Sequence, residues 1–127
     1  MLVNYVYSIE SFEAGEGKVT SVVRLLAECP IYAGHFPGMP ITPGVCLVQI
    51  AQDLIEKAEG GRALYVSESK DIKFVAIVSP AERPLIRYEL SLSESVSGRE
   101  KWSVLVSDSE GTLCAKMSLW FDEILQA

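Results

Sequence analysis

Residues 44–59, GVCLVQIAQDLIEKAE, decide the fold. Leu47, Ile50, Ala51, Leu54, Ile55 and Ala58 recur at intervals of three and four, the spacing of one helical face. Gly60-Gly61 ends the pattern. Gln49, Gln52, Asp53 and Glu56 share the opposite, polar stripe, with Lys57 at its border. Val45, Cys46 and Val48 make the first turn apolar nearly all round, so that end of the helix is expected to be the better buried one.

Outside this stretch the period changes. Residues 2–12, LVNYVYSIESF, alternate apolar and polar side chains, and 18–27 resume with β-branched residues after Gly15-Glu16-Gly17, which reads as a two-stranded hairpin. Residues 28–43 hold too much proline for a ladder or a helix, so they form an ordered loop. Beyond the helix, 62–67, 71–78, 84–96, 100–107 and 112–121 read as strands separated by turn signals such as Ser79-Pro80, Ser97-Gly98 and Asp108-Ser109-Glu110-Gly111. Two strands, one long helix, then four or five strands with short turns predict an α+β domain over 1–127, its helix packed on a largely antiparallel sheet.

The 127 residues suit one hydrophobic core, and a chain 49% apolar and 22% charged is globular. The first residues lack a basic region, an apolar stretch and a small-residue cleavage site, so no signal peptide is expected. No apolar run reaches the roughly 18 residues of a membrane span. Cys29, Cys46 and Cys114 have no metal-type spacing and read as reduced, buried thiols of a cytoplasmic protein. A net charge of −6 argues against sequence-independent nucleic-acid binding. Arg62, Lys70, Lys73, Arg83 and Arg87 nonetheless gather five of the eleven basic residues into one span, either a patch for an acidic partner or charge scattered over a solvated face.

Just before the helix, residues 33–45, AGHFPGMPITPGV, contain three prolines, three glycines and the chain's single histidine. Pro37, Pro40 and Pro43 fix three φ angles, and Gly34, Gly38 and Gly44 leave room for close approach. The loop therefore holds His35 rigidly beside a helix N-terminus. The N–H groups of Gly44 and Val45, without intrahelical partners, are suited to polarising an acyl carbonyl. Cys46, in the first turn, has a thiol that the helix dipole would acidify, yet no second histidine exists to activate it.

The string His35-Phe36-Pro37-Gly38-Met39-Pro40-Ile41-x-Pro43-Gly44-Val45 resembles the active-site signature of the 3-hydroxyacyl-acyl-carrier-protein dehydratases, which have the hotdog fold. The likeness continues more loosely along the chain, notably in residues 71–90, with their Lys-Phe pair and following proline. It implies a long helix wrapped by an antiparallel sheet, and a homodimer or higher oligomer with each site built from His35 of one chain and the helix of the other. It also implies loss of water from a (3R)-3-hydroxyacyl thioester to give the trans-2-enoyl thioester. The acyl group would arrive on the phosphopantetheine of an acyl carrier protein, and no metal or organic cofactor is implied. Phe36, Pro43, Gly44, Val45 and Asp53 would then line the substrate site, and His35 would take the proton beside the thioester carbonyl.

The chain departs from the family at one point. The acid of the family is a Glu or Asp fourteen residues after the histidine, and that position is Gln49; a gap inside the helix would put Val48 there instead. Glutamine keeps the shape of glutamate but cannot deliver a proton. Loss of a general acid costs about 10² to 10⁴ in rate. His35 itself, a water, or Asp53 one turn further on could supply the proton, although Asp53 reads first as part of the polar stripe with Glu56. Gln49 is assigned the positioning of the substrate hydroxyl. Acyl-thioester hydrolysis and a non-catalytic acyl-binding subunit paired with an active dehydratase are the alternatives. Trp102, Trp120, Phe74 and Tyr88 read as core or interface packing.

Overall fold

The computed structural model describes residues 3–34 and 41–124. Six strands, β1 (Tyr7–Gly15), β2 (Lys18–Leu25), β3 (Leu64–Phe74), β4 (Leu85–Val96), β5 (Arg99–Asp108) and β6 (Leu113–Glu123), form one sheet in the order β1-β2-β4-β5-β6-β3. Every neighbouring pair is antiparallel. The helix α1 spans Gly44–Ala58 and follows a short 3-10 turn, Pro30–Gly34.

The hairpins follow from their turn residues. Glu16 and Gly17 (φ 46° and 75°) join β1 to β2, and Ser97 and Gly98 (φ 51° and 82°) join β4 to β5. Two consecutive left-handed residues match the right-handed twist of the flanking strands. At the other end of the helix, Gly60 and Gly61 (φ 74° and 90°) stop α1 where the spacing predicts.

One face of the helix, Leu47, Ile50, Ala51, Leu54 and Ile55, enters a core shared with Val23, Ile86, Tyr88, Leu90, Val104, Met117, Leu119 and Phe121. Fully burying a large apolar side chain stabilises the fold by about 1.5–3 kcal/mol, so this face holds the helix against the sheet. Tyr88, on β4, is fully buried and donates its hydroxyl to the Leu47 carbonyl at 2.8 Å, which fixes α1 along the strand direction.

Several expectations are corrected. The segments 62–67 and 71–78 are not two strands. One strand, β3, runs from Leu64 through the polar residues 67–71 to Phe74, with register shifts against β6, and 75–78 leave the ladder. An edge strand buries little, so backbone pairing with β6 suffices to hold a polar run extended. β1 begins at Tyr7 rather than residue 2, because Asn4 takes a left-handed φ of 64° and turns the chain. In the first helical turn Cys46 and Leu47 are buried as expected, but Val45 is 74% exposed in the single chain.

Candidate active site at the helix

His35 and Phe36, the base and one expected substrate contact, lie outside the described residues, as do Pro37, Gly38, Met39 and Pro40. Tyr32 and Thr42, both buried, share a hydrogen bond of 3.0 Å between their hydroxyls, and the Thr42 N–H donates to the Val78 carbonyl at 2.8 Å. The two ends of the histidine segment are thus tied to each other and to the chain after β3.

At the helix start, Pro43 is the N-cap with extended dihedrals, and no side chain among the described residues caps it. Cys46 N–H and Leu47 N–H both turn back to the Pro43 carbonyl, the latter at 3.3 Å. Pro43 and Gly44 line a depression of about 350 Å³ with Thr42, Leu47, Phe74 and Ile77. A Cβ on Gly44 would stand 2.5 Å from the tip of the Phe74 ring, so glycine is what lets β3 lay its last side chain across the helix start. Cys46 is buried beside Cys29, and burial pushes its thiol up rather than down, against the dipole expectation.

Gln49 and Asp53 are brought together. The Gln49 amide nitrogen donates to Asp53 Oδ1 at 2.9 Å, one helical turn away. Asp53 Oδ2 accepts from the hydroxyl of Tyr7 on β1 at 3.1 Å. Because a carboxyl group offers the amide an acceptor, the Gln49 nitrogen faces Asp53 and its Oε1 faces away. Asp53 is only 3% exposed, which corrects its place in a solvated polar stripe. Burial, and then the Asp53 charge, push the Tyr7 hydroxyl far above the ordinary tyrosine range, so Tyr7 stays neutral and donates.

Tyr7 and Asp53 line a second cavity, of about 490 Å³, with Val3, Ile9, Glu56, Lys57 and Ala63. Its apolar walls come from β1 and the chain before β3, its polar groups from α1. The structure therefore separates the expected contacts: Gly44 and Pro43 open on the depression at the helix start, Asp53 on the cavity one turn further along. Tyr7 is a site residue that sequence reasoning missed. Only its burial and its reach to a carboxyl 46 residues away reveal it, and no local pattern carries that.

Glu56 Oε2 accepts the Leu64 N–H at 2.7 Å and so anchors the start of β3. Of the five clustered basic residues, Arg62 pairs with Glu59 and Glu123, Arg83 with Asp108 and Glu110, and Arg87 with Glu89. Lys70 and Lys73 are exposed on β3. Among the described residues no cluster of His, Cys, Asp and Glu is placed to hold a metal ion, and no helix is long and apolar enough to cross a membrane.

Comparison with known proteins fits this architecture. The family model described as ApeI dehydratase, ApeI-like, matches residues 11–118. A 3-hydroxyacyl-[acyl-carrier-protein] dehydratase FabZ of Lactiplantibacillus plantarum is 34% identical over 106 residues, covering 79% of this chain and 71% of that protein. The FabZ of Caldicellulosiruptor saccharolyticus is 27% identical over 127 residues, covering 95% of this chain and 86% of its own. Among solved structures, the dehydratase heterocomplex ApeI:P of Xenorhabdus doucetiae superposes with a TM-score of 0.72 at 14% identity, over 90% of this chain and 96% of that one. A hypothetical thioesterase with coenzyme A from Streptococcus pneumoniae gives 0.68 at 11%, over 94% and 87%. At these identities the structural likeness establishes the shared hotdog architecture, one helix wrapped by an antiparallel sheet. The match over residues 11–118, which takes in α1 and β2, β3, β4 and β5 whole, makes this chain a member of the ApeI-like dehydratase family.

Proposed function

We propose that the protein removes water from (3R)-3-hydroxyacyl thioesters of an acyl carrier protein, giving the trans-2-enoyl thioester. The observation that carries this reading is the dehydratase family match, which extends across the helix bearing Gln49 and Asp53 and the strands that hold it. His35 takes the proton beside the thioester carbonyl. The Gly44 N–H, at a helix start with no side-chain cap, polarises that carbonyl. Gln49, its nitrogen held by Asp53, presents Oε1 to accept the substrate hydroxyl. Phe36, Pro43 and Val45 line the approach. The acyl chain arrives on phosphopantetheine, and the reaction asks for no metal or organic cofactor. The setting is the cytoplasm.

The working unit in this reading is a homodimer. Phe74, Val75 and Ile77, at the end of β3 and just beyond it, are 53%, 60% and 68% exposed, and Val45 on α1 is 74% exposed. An apolar patch beside an edge strand is suited to a second copy of the chain. The exposed Lys70 and Lys73 on the same strand are the groups offered to the acidic carrier protein.

The test is hydration of crotonyl-carrier-protein followed by loss of enoyl absorbance and by product mass. Wild type is expected to form the 3-hydroxyacyl thioester, and His35→Ala to lose at least about 10²-fold. Release of free thiol would select acyl-thioester hydrolysis instead. Absence of turnover until an active dehydratase subunit is added would select a non-catalytic acyl-binding subunit, the reading favoured by an amide at position 49.

A further inference from the structure

We infer that Asp53 is a positioning residue that fixes the polarity of the site at Gln49, so that the protein takes up 3-hydroxyacyl groups and rejects 3-oxoacyl groups of the same length. This deepens the dehydratase reading and rests on it for the place of Gln49 beside the acyl C3 atom. A glutamine side chain ends in one acceptor and one donor of nearly the same shape. What such a site reads depends on which of the two is turned outward, and the hydrogen-bond network decides that.

The deciding groups come from two elements. Along α1, the Gln49 amide nitrogen donates to Asp53 Oδ1 at 2.9 Å. From β1, the Tyr7 hydroxyl donates to Asp53 Oδ2 at 3.1 Å. Burial keeps the Tyr7 proton in place, so Asp53 accepts at both oxygens. An amide turned the other way would set its oxygen against Oδ1 with no hydrogen between them. Asp53 is 3% exposed and Tyr7 is fully buried, so packing holds both partners where they are. Among the described residues nothing donates to Gln49 Oε1, and this oxygen is what the site offers.

A 3-hydroxyl group donates to that oxygen. A 3-oxo group can only accept, so it meets Oε1 as a second acceptor, and each gives up a hydrogen bond to water without replacing it. Gln49 is half-buried, and for a partly screened pair of this kind the discrimination is about tenfold. Asp53 does this from the side of Gln49 turned away from the ligand, touching neither the ligand nor the reacting atoms.

The experiment is calorimetric titration with two pantetheine amides, the (3R)-3-hydroxybutyramide and the 3-oxobutyramide, of wild type, Asp53→Asn, Tyr7→Phe and Gln49→Leu, with a thermal melt of each. The amide link makes the C2 proton of the hydroxy ligand less acidic than in a thioester, so the ligand is bound without being dehydrated. Wild type is expected to prefer the hydroxy ligand by about tenfold. In Asp53→Asn the Tyr7 hydroxyl holds the oxygen of the introduced amide and leaves its nitrogen toward Gln49, so the Gln49 amide turns over and presents its donor. The 3-oxo ligand should then bind about tenfold tighter than to wild type, while the hydroxy ligand, whose oxygen also accepts, changes only a few-fold. Tyr7→Phe breaks the same network but leaves a carboxyl that accepts from Gln49, and should keep the wild-type preference. Equal affinity of wild type for the two ligands, binding of neither, or an unchanged preference in Asp53→Asn overturns the inference. A Tyr7→Phe that loses the preference as fully as Asp53→Asn overturns it too, because packing alone would then account for both. Should Asp53→Asn fail to fold, Gln49→Leu offers the ligand no acceptor, and a hydroxyl preference kept there overturns the inference. Wild type that shows the preference but does not hydrate crotonyl-carrier-protein defeats the dehydratase reading alone, whereas turnover without the preference defeats only the role of Asp53.

Discussion

Replacing Gln49 by Glu tests the Gln49–Asp53 contact by turning a hydrogen bond into a carboxyl pair. The Gln49 nitrogen is 2.9 Å from Asp53 Oδ1, so the substitution sets two oxygens at about that separation. With an effective dielectric near 20, two full charges there repel by roughly 6 kcal/mol. Keeping one carboxyl protonated at pH 7 costs less, about 1.4 kcal/mol per unit above an ordinary glutamate value near 4.3, or about 4 kcal/mol. The pair is therefore expected to hold one proton at neutral pH.

The sign is definite. A carboxyl raised in the folded state stabilises fully below its unfolded value, and that stability is lost as pH rises through the folded value. Relative to wild type, Gln49→Glu should be near neutral at pH 4 and about 2–4 kcal/mol less stable at pH 7, after allowing for partial solvent screening. For a domain of 127 residues that is a fall in Tm of roughly 8–16 °C. The assay is urea denaturation of both proteins from pH 4 to pH 8. The retained proton should also extend turnover to higher pH, raising kcat/KM above pH 7 by about tenfold or more. A stability difference flat across this range would refute the adjacency of the two groups, because no screening at 2.9 Å removes the whole effect.

Glu59 predicts a second pH dependence of the same sign. Burial, and then its hydrogen bond and charge contact with Glu100, raise this carboxyl from 4.5 to about 7 against the pull of Arg62. Stability is therefore lost as pH climbs from about 4.5 to about 7, and Glu59→Gln should recover up to about 3 kcal/mol at pH 8, read from denaturation midpoints. Tyr88→Phe removes the 2.8 Å bond to the Leu47 carbonyl and should cost about 1 kcal/mol, measured by thermal melts. Gly44→Ala drives a methyl into the Phe74 ring and should lower Tm, whereas in a Phe74→Ala background the same change should be neutral or stabilising. Ile77→Glu puts a charge into the exposed apolar patch, and sedimentation should show a smaller species than wild type.

The helix was legible because its signal is local: period, proline entry and glycine exit all lie within twenty residues, and α1 ends one residue from where the spacing puts it. β3 was not, because the polar run Ser67–Asp71 satisfies every turn criterion and is held straight only by β6, a partner that follows it by some fifty residues. Val45 was misjudged for the opposite reason. Its apolarity was read as burial in the chain's own core, but in the single chain it stands 74% exposed. Asp53 combines both lessons. The spacing of four correctly placed its carboxyl next to Gln49, since neighbours on a helix surface follow from helical geometry alone. That it is buried, faces an apolar cavity and is steadied by a tyrosine depends on Tyr7 lying across from it in the folded sheet. Local sequence could thus show that the amide at position 49 has a carboxyl neighbour. Only the long-range contact shows that this carboxyl is turned inward, against the Tyr7 hydroxyl.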